Sequence, residues 1–168
     1  GTSIVILTQS SEIPVLTIEE MKLLGNHNVE NYMAAIAIAY YMGVPVEVIR
    51  KACMEFKGVE HRIEFVKTVN GVNYYNDSKA TNPDAAIQGI KAMSKPTILI
   101  GGGYDKGSDY DEWIEAFEGK VKYLVLIGQT RDKIAQCALD HGFEANRIKF
   151  ADTYEECLKV VTTTKKKK

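Results

Sequence analysis

From Ile63 onward the chain alternates between short apolar runs and stretches of helical spacing, and this alternation constrains the fold more than any other feature. Thr97-Ile98-Leu99-Ile100, Tyr123-Leu124-Val125-Leu126-Ile127 and Arg147-Ile148-Lys149-Phe150 read as strands. The spacing predicts helices over 84–94, 109–118 and 130–141, and another beginning near Thr153. Continuously apolar strands separated by helices are buried on both faces. The expectation is therefore an α/β fold with a parallel sheet and helices on both sides. Just before it, residues 63–69 and 72–76 alternate as a hairpin about Asn70-Gly71, a dipeptide suited to a type I′ turn.

Residues 1–62 have a different pattern. Two β-like runs, 4–7 and 14–17, are too few to bury a face alone. A helix opens at Gly25-Asn26-His27-Asn28, is expected to pack through Ala34, Ala35, Ile36, Ile38 and Ala39, and ends with Gly43 at the C′ position. Pro45 starts a second helix, with Val48, Ile49, Ala52, Cys53 and Phe56 at helical spacing and Lys57-Gly58 as its end. Residues 1–62 read as the trailing part of one domain and 63–168 as a second, incomplete at its end. Gly1-Thr2-Ser3 looks like an internal start or an added leader, and the run from Thr162 into the terminal lysines shows no pattern.

Composition narrows the function classes. No run reaches the length of a membrane span, and no signal peptide opens the chain. The formal net charge of −1 includes four terminal lysines, so the body is acidic, which argues against nucleic acid as a partner. Cys53, Cys137 and Cys157 are scattered and odd in number, pointing to reduced thiols and a cytoplasmic location. His27, His61 and His141 form no H-x-x-x-H pair, and no C-x-x-C occurs, so no metal ligands are expected. The sequence has no P-loop. No Gly-rich fingerprint opens the sheet with an acidic residue at the right distance, which disfavours an NAD-dependent enzyme.

Four loops can carry chemistry. Asp77-Ser78-Lys79-Ala80-Thr81-Asn82-Pro83 joins a strand to a helix, where ligands of open α/β sheets bind. Asn82 suits the N-cap and Pro83 the first helical position, so backbone N–H groups would face the same place as Lys79 and Thr81. The loop reads as a carboxylate or phosphate site. Gly101-Gly102-Gly103-Tyr104-Asp105-Lys106-Gly107 follows a strand; it is either a ligand loop or a flexible glycine turn with a solvated lysine. In Gly58-Val59-Glu60-His61-Arg62, Arg62 either reaches a phosphate or pairs with Glu60. In Asn26-His27-Asn28-Val29-Glu30-Asn31, Asn26 or Asn28 caps the helix, while the Asn31 amide can read a purine edge. Gly128-Gln129-Thr130 reads as a helix cap.

In order, these loops resemble the Mur ligases, ATP-dependent amino-acid ligases of peptidoglycan synthesis. The resemblance rests on Gly25 to Ala35, Gly58 to Arg62, Asn76 to Pro83 and Gly101 to Gly107, and spans roughly residues 14–160. Asp77-Ser78-Lys79-Ala80-Thr81-Asn82 is similar to the D-glutamate-adding branch; sister ligases and folylpolyglutamate synthases show Asp-Tyr-Ala-His or Ala-His-Asn-Pro patterns there. The resemblance implies that 1–62 is the end of a central ATP-binding domain and that 63–168 is a Rossmann-like amino-acid-binding domain. It implies nucleotide contacts at Asn31, Arg62, Asp77 and Lys79, and substrate contacts at Thr81, Lys106 and Ser78. It further implies ATP and Mg2+ as cofactors, and D-glutamate and UDP-N-acetylmuramoyl-L-alanine as substrates. The expected role is in cell-wall synthesis, and with it cell shape and division. The P-loop, magnesium ligands and UDP-binding domain of such ligases are not in this sequence, so the chain is expected to be an inactive piece of one. Two alternatives stay open: a non-catalytic α/β ligand-binding module, or a related ligase for another amino acid.

Overall fold

A computed structural model describes residues 3–164 and divides the chain into two units, Gly1–Lys79 and Ala80–Lys168. In the first, β1 (Ser3–Leu7) and β2 (Glu12–Thr17) pair antiparallel and pack on α1 (Asn26–Tyr41) and α2 (Val46–Glu55). Ile4, Val15, Leu16, Tyr32, Ile36 and Ile49 make the core. Arg50 joins α2 to β2, donating to the Val15 carbonyl at 2.5 Å and pairing with Glu20.

α1 closes as expected at Gly43, whose φ is 81°. The Gly43 N–H donates to the Tyr40 carbonyl and the Val44 N–H to the Ala39 carbonyl, the two bonds of a Schellman motif. Its packing differs from the expectation. Ala34, Ala35 and Ile38 are exposed, and burial follows Asn28, Tyr32 and Ile36, a stripe one residue wide at four-residue spacing. On α2, likewise, Ile49 is buried while Val48, Ala52 and Phe56 are exposed. α1 is apolar all round but covered on one side only, and Met33, Tyr41 and Met42 add to its open face.

β3 (Glu64–Val69) and β4 (Val72–Asn76) form the expected hairpin, as a separate two-stranded ladder. Asn70 and Gly71 take φ of 50° and 75°, the two positive values that a type I′ turn requires.

The second unit follows the predicted alternation: α3 (Pro83–Lys91), β5 (Thr97–Gly103), α4 (Asp111–Glu115), β6 (Val121–Gly128), α5 (Arg131–Asp140), β7 (Ile148–Phe150) and α6 (Tyr154–Thr164). The strands are parallel in the order β5-β6-β7. Leu124 and Leu126 face a core built with Ile87, Ile90, Trp113, Phe117 and Ile134 from α3, α4 and α5. Val125 alternates to the opposite face, where α6 packs on β6 and buries Cys157 and Val161. The fold is thus α/β, a Rossmann-like parallel sheet with helices on both faces.

Three expectations on element length are corrected. The helix predicted over 109–118 is regular only over Asp111–Glu115, because Glu118 and Gly119 adopt positive φ and unwind its end. The three glycines expected to form a loop complete β5, in register with Leu126, Ile127 and Gly128. Thr162 and Thr163, expected to lack structure, lie in α6; their hydroxyls donate back to the Leu158 and Lys159 carbonyls one turn earlier. Gly1, Thr2 and Lys165 to Lys168 lie outside the described residues. Among the described residues no helix is long and apolar enough to cross a membrane.

Candidate functional site

In the first unit, the Gly58 loop and the start of the Asp77 loop are tied together by three hydrogen bonds or close polar contacts, with a fourth inside the Gly58 side. The Asp77 Oδ1 accepts the Ile63 N–H at 3.0 Å, and the Lys79 N–H donates to the His61 carbonyl at 3.0 Å. The Asn76 amide nitrogen lies 2.8 Å from His61 Nδ1, and Glu64 Oε2 accepts the His61 N–H at 2.9 Å. The tie holds unusual backbone: His61 has φ 66° and Ile63 φ 45°. For a β-branched residue such as Ile63 this conformation costs about 1–3 kcal/mol, and it persists only where neighbours over-determine it.

Burial pushes the Asp77 carboxyl above the usual range, against the opposing pull of the Ile63 N–H and the charges of Arg62 and His27. The Arg62 guanidinium is exposed and makes no hydrogen bond or ion pair among the described residues; Glu60 pairs with His61 instead, at 3.7 Å. The structure thus brings Arg62, Asp77 and Lys79 to one pair of loops. A free guanidinium next to a strained loop is available to a phosphate.

Asn31 is exposed on α1 and donates its amide to Asn28 Oδ1 at 3.3 Å. Neither Asn26 nor Asn28 caps the helix. Gly25 takes the N-cap position with φ 94°, and Asn28 is buried inside the first turn, donating to the Leu24 carbonyl at 2.7 Å.

In the second unit, Asn82 caps α3 as expected, its Oδ1 accepting the Ala85 N–H at 2.8 Å, with Pro83 in the first turn. The Lys106 ammonium donates to the Thr81 carbonyl at 3.4 Å. Thr81, Lys106 and the first turn of α3 therefore share one place, and both side chains are exposed. An ammonium beside a helix N-terminus favours an anion. Ser78, the third residue assigned to substrate, belongs to the first unit; its N–H donates to Asn76 Oδ1 at 3.1 Å.

The Lys106 loop is fixed at its base. A Cβ on Gly101 would meet the Trp113 ring at 2.8 Å, and one on Gly102 the Ile127 carbonyl at 2.0 Å. These two glycines let the sheet and α4 close up, so the glycine run is not a flexible turn, although the Lys106 side chain is exposed. Thr130, expected as a simple cap, is buried with its hydroxyl turned to the strand end: Gly103 N–H donates to Thr130 Oγ1 at 3.1 Å, and Thr130 N–H returns to the Gly103 carbonyl at 3.1 Å. Gln129 Oε1 accepts the Asp105 N–H at 3.2 Å. Thr130 does stand at the N-cap of α5, as read from the sequence, but its hydroxyl serves Gly103 rather than the helix, a role the sequence did not signal.

A hollow of about 480 Å³ also lies between α3 and α4, lined by Asp84, Glu112, Glu115 and Glu118 among others. Its four carboxylates face a single lysine, Lys91, so the hollow disfavours an anion.

Residues 61–168 match the family model described as "Mur ligase, glutamate ligase domain". This chain belongs to the Mur ligase family. It is 58% identical over 147 residues to the UDP-N-acetylmuramoylalanine--D-glutamate ligase of Lachnoclostridium phytofermentans, covering 88% of this chain and 32% of that protein. Against the ligase of the same name from Lachnospira eligens it is 53% identical, covering 90% and 33%. The chain therefore spans about a third of the length of the curated relatives it matches. A Mycobacterium tuberculosis folylpolyglutamate synthase, solved with ADP and AMPPCP, shares the fold with TM-score 0.70 and 16% identity over 96% of this chain and 40% of that one. MurF from Acinetobacter baumannii does so with TM-score 0.65 and 23% identity over 96% and 35%. The Mur ligase family membership expected from the four loops is thus borne out. The sequence-predicted site residues of this Mur ligase chain fall into two groups. Arg62, Asp77 and Lys79 lie together on the first unit, and Thr81 and Lys106 lie together on the second; Asn31 stands on α1, apart from the loop tie in its contacts.

Proposed function

We propose that this chain is the amino-acid-bearing part of an ATP-dependent ligase that adds D-glutamate to UDP-N-acetylmuramoyl-L-alanine. The observation that carries the reading is the meeting of Lys106 with the Thr81 loop at the capped start of α3. On this reading Thr81 and Lys106 hold a carboxylate of D-glutamate, Ser78 is a further substrate contact, and Arg62, Asp77, Lys79 and Asn31 contact the nucleotide. Residues 1–62 are the end of a central ATP-binding domain; the open apolar side of α1 supports this, since a helix apolar all round belongs inside a larger body.

On this reading the acceptor's carboxylate would take the γ-phosphoryl group of ATP, releasing ADP, and the D-glutamate amine would then displace phosphate from the acyl carbon as the amide forms. The contribution of this chain is to hold the amine's carboxyl end in fixed orientation, which converts an encounter into a positioned attack. The fixed base of the Lys106 loop, through Gly101, Gly102 and Thr130, serves that orientation. Arg62 offers positive charge to the nucleotide phosphates. The Mg2+ of such a reaction is held, on this reading, by residues outside this sequence.

The test is kinetic, in a complete ligase carrying this segment. Lys106→Ala should raise the KM for D-glutamate at least about tenfold with little effect on the KM for ATP, and Arg62→Ala should do the reverse. An unchanged KM for D-glutamate in Lys106→Ala would overturn the substrate assignment.

A further inference from the structure

Away from both groups of loops, three side-chain ligand atoms converge between α4 and the end of α5, with a fourth beside one of them. Asp111 opens α4 and Glu115 closes it; Cys137 and His141 stand one helical turn apart at the end of α5, so both project to the same side. Cys137 Sγ lies 3.6 Å from Asp111 Oδ1, and His141 Nε2 lies 3.4 Å from the same oxygen and 3.7 Å from Glu115 Oε1. One ligand atom each from Asp111, Cys137 and His141 falls within 4.8 Å of the others.

The imidazole is already oriented. His141 Nδ1 sits 3.0 Å from the Cys137 carbonyl oxygen. In the tautomer that donates Nδ1–H to this carbonyl, Nε2 keeps the lone pair a metal needs, on the side of Asp111 and Glu115. That is the arrangement of a metal-binding histidine, whose second nitrogen is held by a backbone carbonyl. One imidazole nitrogen, one thiol and one carboxylate thus offer ligand atoms to a common point, with the Glu115 carboxylate beside the imidazole.

Two of the three spacings fit zinc. Around tetrahedral zinc, ligand bonds of about 2.3 Å to sulfur and about 2.1 Å to nitrogen and oxygen put a sulfur and an oxygen roughly 3.6 Å apart, and a nitrogen and an oxygen roughly 3.4 Å apart. The sulfur–oxygen and nitrogen–oxygen separations at Asp111 Oδ1 match both values. A mixed sulfur, nitrogen and oxygen set suits Zn2+ over the harder Mg2+ and Ca2+.

We infer that Asp111, Cys137 and His141 form a divalent zinc site, with Glu115 or water in the fourth position, clipping α4 to α5. The nearby carboxylates act in two directions. Without metal they help burial push the Cys137 thiol up to about 11; toward a cation the same charges are attractive. Because α4 begins four residues after Gly107, the clip also anchors the far end of the Lys106 loop. The inference does not depend on the ligase reading.

The experiment titrates the full 168-residue chain, stripped with chelator, with Co2+ as a spectroscopic probe and then with Zn2+ in competition. The expected result is one equivalent bound, with a thiolate-to-cobalt charge-transfer band and the visible bands of a tetrahedral centre, all displaced by Zn2+. The band should vanish in Cys137→Ser and persist in Cys53→Ser, while His141→Gln and Asp111→Asn should each weaken Co2+ affinity at least about tenfold. Circular dichroism checks that each variant is folded; His141 and Asp111 are exposed, so their variants remain informative should Cys137→Ser fail to fold. Absence of the charge-transfer band in the folded parent chain would overturn the inference, as would a band that survives Cys137→Ser or an affinity unchanged by both His141→Gln and Asp111→Asn.

Discussion

The Lys106 ammonium lies 3.4 Å from the carbonyl oxygen of Thr81, 25 residues earlier in the chain. The contact closes the strand-end loop after β5 onto the first turn of α3. It depends on the cap: Asn82 Oδ1 holds the Ala85 N–H at 2.8 Å and sets the direction in which the Thr81 carbonyl points. Asn82→Ala should cost about 1 kcal/mol by denaturant unfolding, and the amide shift of Thr81 should move with it. A variant as stable as the parent would remove the cap from the account.

Gly102 and Gly103 are adjacent, both at positive φ, and make opposite demands. A Cβ at Gly102 would lie 2.0 Å from the Ile127 carbonyl oxygen, whereas one at Gly103 meets nothing within 4 Å. Gly102→Ala should destabilise by about 3 kcal/mol or more, combining a forbidden contact with strain, and Gly103→Ala by roughly 1 kcal/mol. Equal costs in thermal and denaturant melts would contradict the register of β5 with β6.

Asp77 gives a pH signature. Its carboxyl is raised from 3.8 by burial, so its protonated form is favoured by folding. Its contribution to stability is fully present below the unfolded value and is lost as pH rises through the higher folded value. Asp77→Asn keeps an oxygen for the Ile63 N–H without the buried charge. The variant should therefore be more stable than the parent near neutral pH, with the gap closing as pH falls toward 3.8. A gap that widens on acidification would reverse the sign and refute the burial argument.

Cys137 should react slowly in the metal-free chain. A pKa pushed from 9.0 to about 11, by burial first and then by Asp111, reduces the thiolate at pH 8. Two units lower the thiolate fraction about 100-fold while its greater nucleophilicity restores roughly eightfold, leaving alkylation about tenfold slower than at an ordinary thiol. Asp111→Asn should recover part of that rate. Mass spectrometry of iodoacetamide labelling reads both; labelling of Cys137 at the rate of a model thiol would contradict the geometry.

Periodicity revealed the second unit nearly whole because its strands are apolar throughout and its helices have clear faces; β6 and α5 fall within a few residues of their expected bounds. It failed on α1, where every side carries apolar residues and composition alone does not say which stripe, here Asn28, Tyr32 and Ile36, is covered. The glycine run after Ile100 misled for a different reason: glycine signals either freedom or close approach, and only the positions of Trp113 and Ile127 decide. The Lys106–Thr81 meeting was only half legible: Lys106 follows β5, but β4 pairs with β3 alone, so no strand end of the parallel sheet places Thr81. The Thr130–Gly103 clasp was not legible, since a threonine before a helix reads as a cap. The Cys137–His141 pair escaped because a mixed pair one turn apart matches neither the His–His nor the Cys–Cys spacing, and its third ligand lies 26 residues away on α4.

The central claim is that Thr81 and Lys106 hold the carboxylate of an acidic amino acid. The direct measurement is a titration of isotopically labelled chain with D-glutamate, followed by amide shifts. The account predicts saturable shifts concentrated at residues 81–85 and 103–107, abolished by Lys106→Ala and weaker with L-glutamate. Shifts that are absent at both loops, or that persist unchanged in Lys106→Ala, would contradict it.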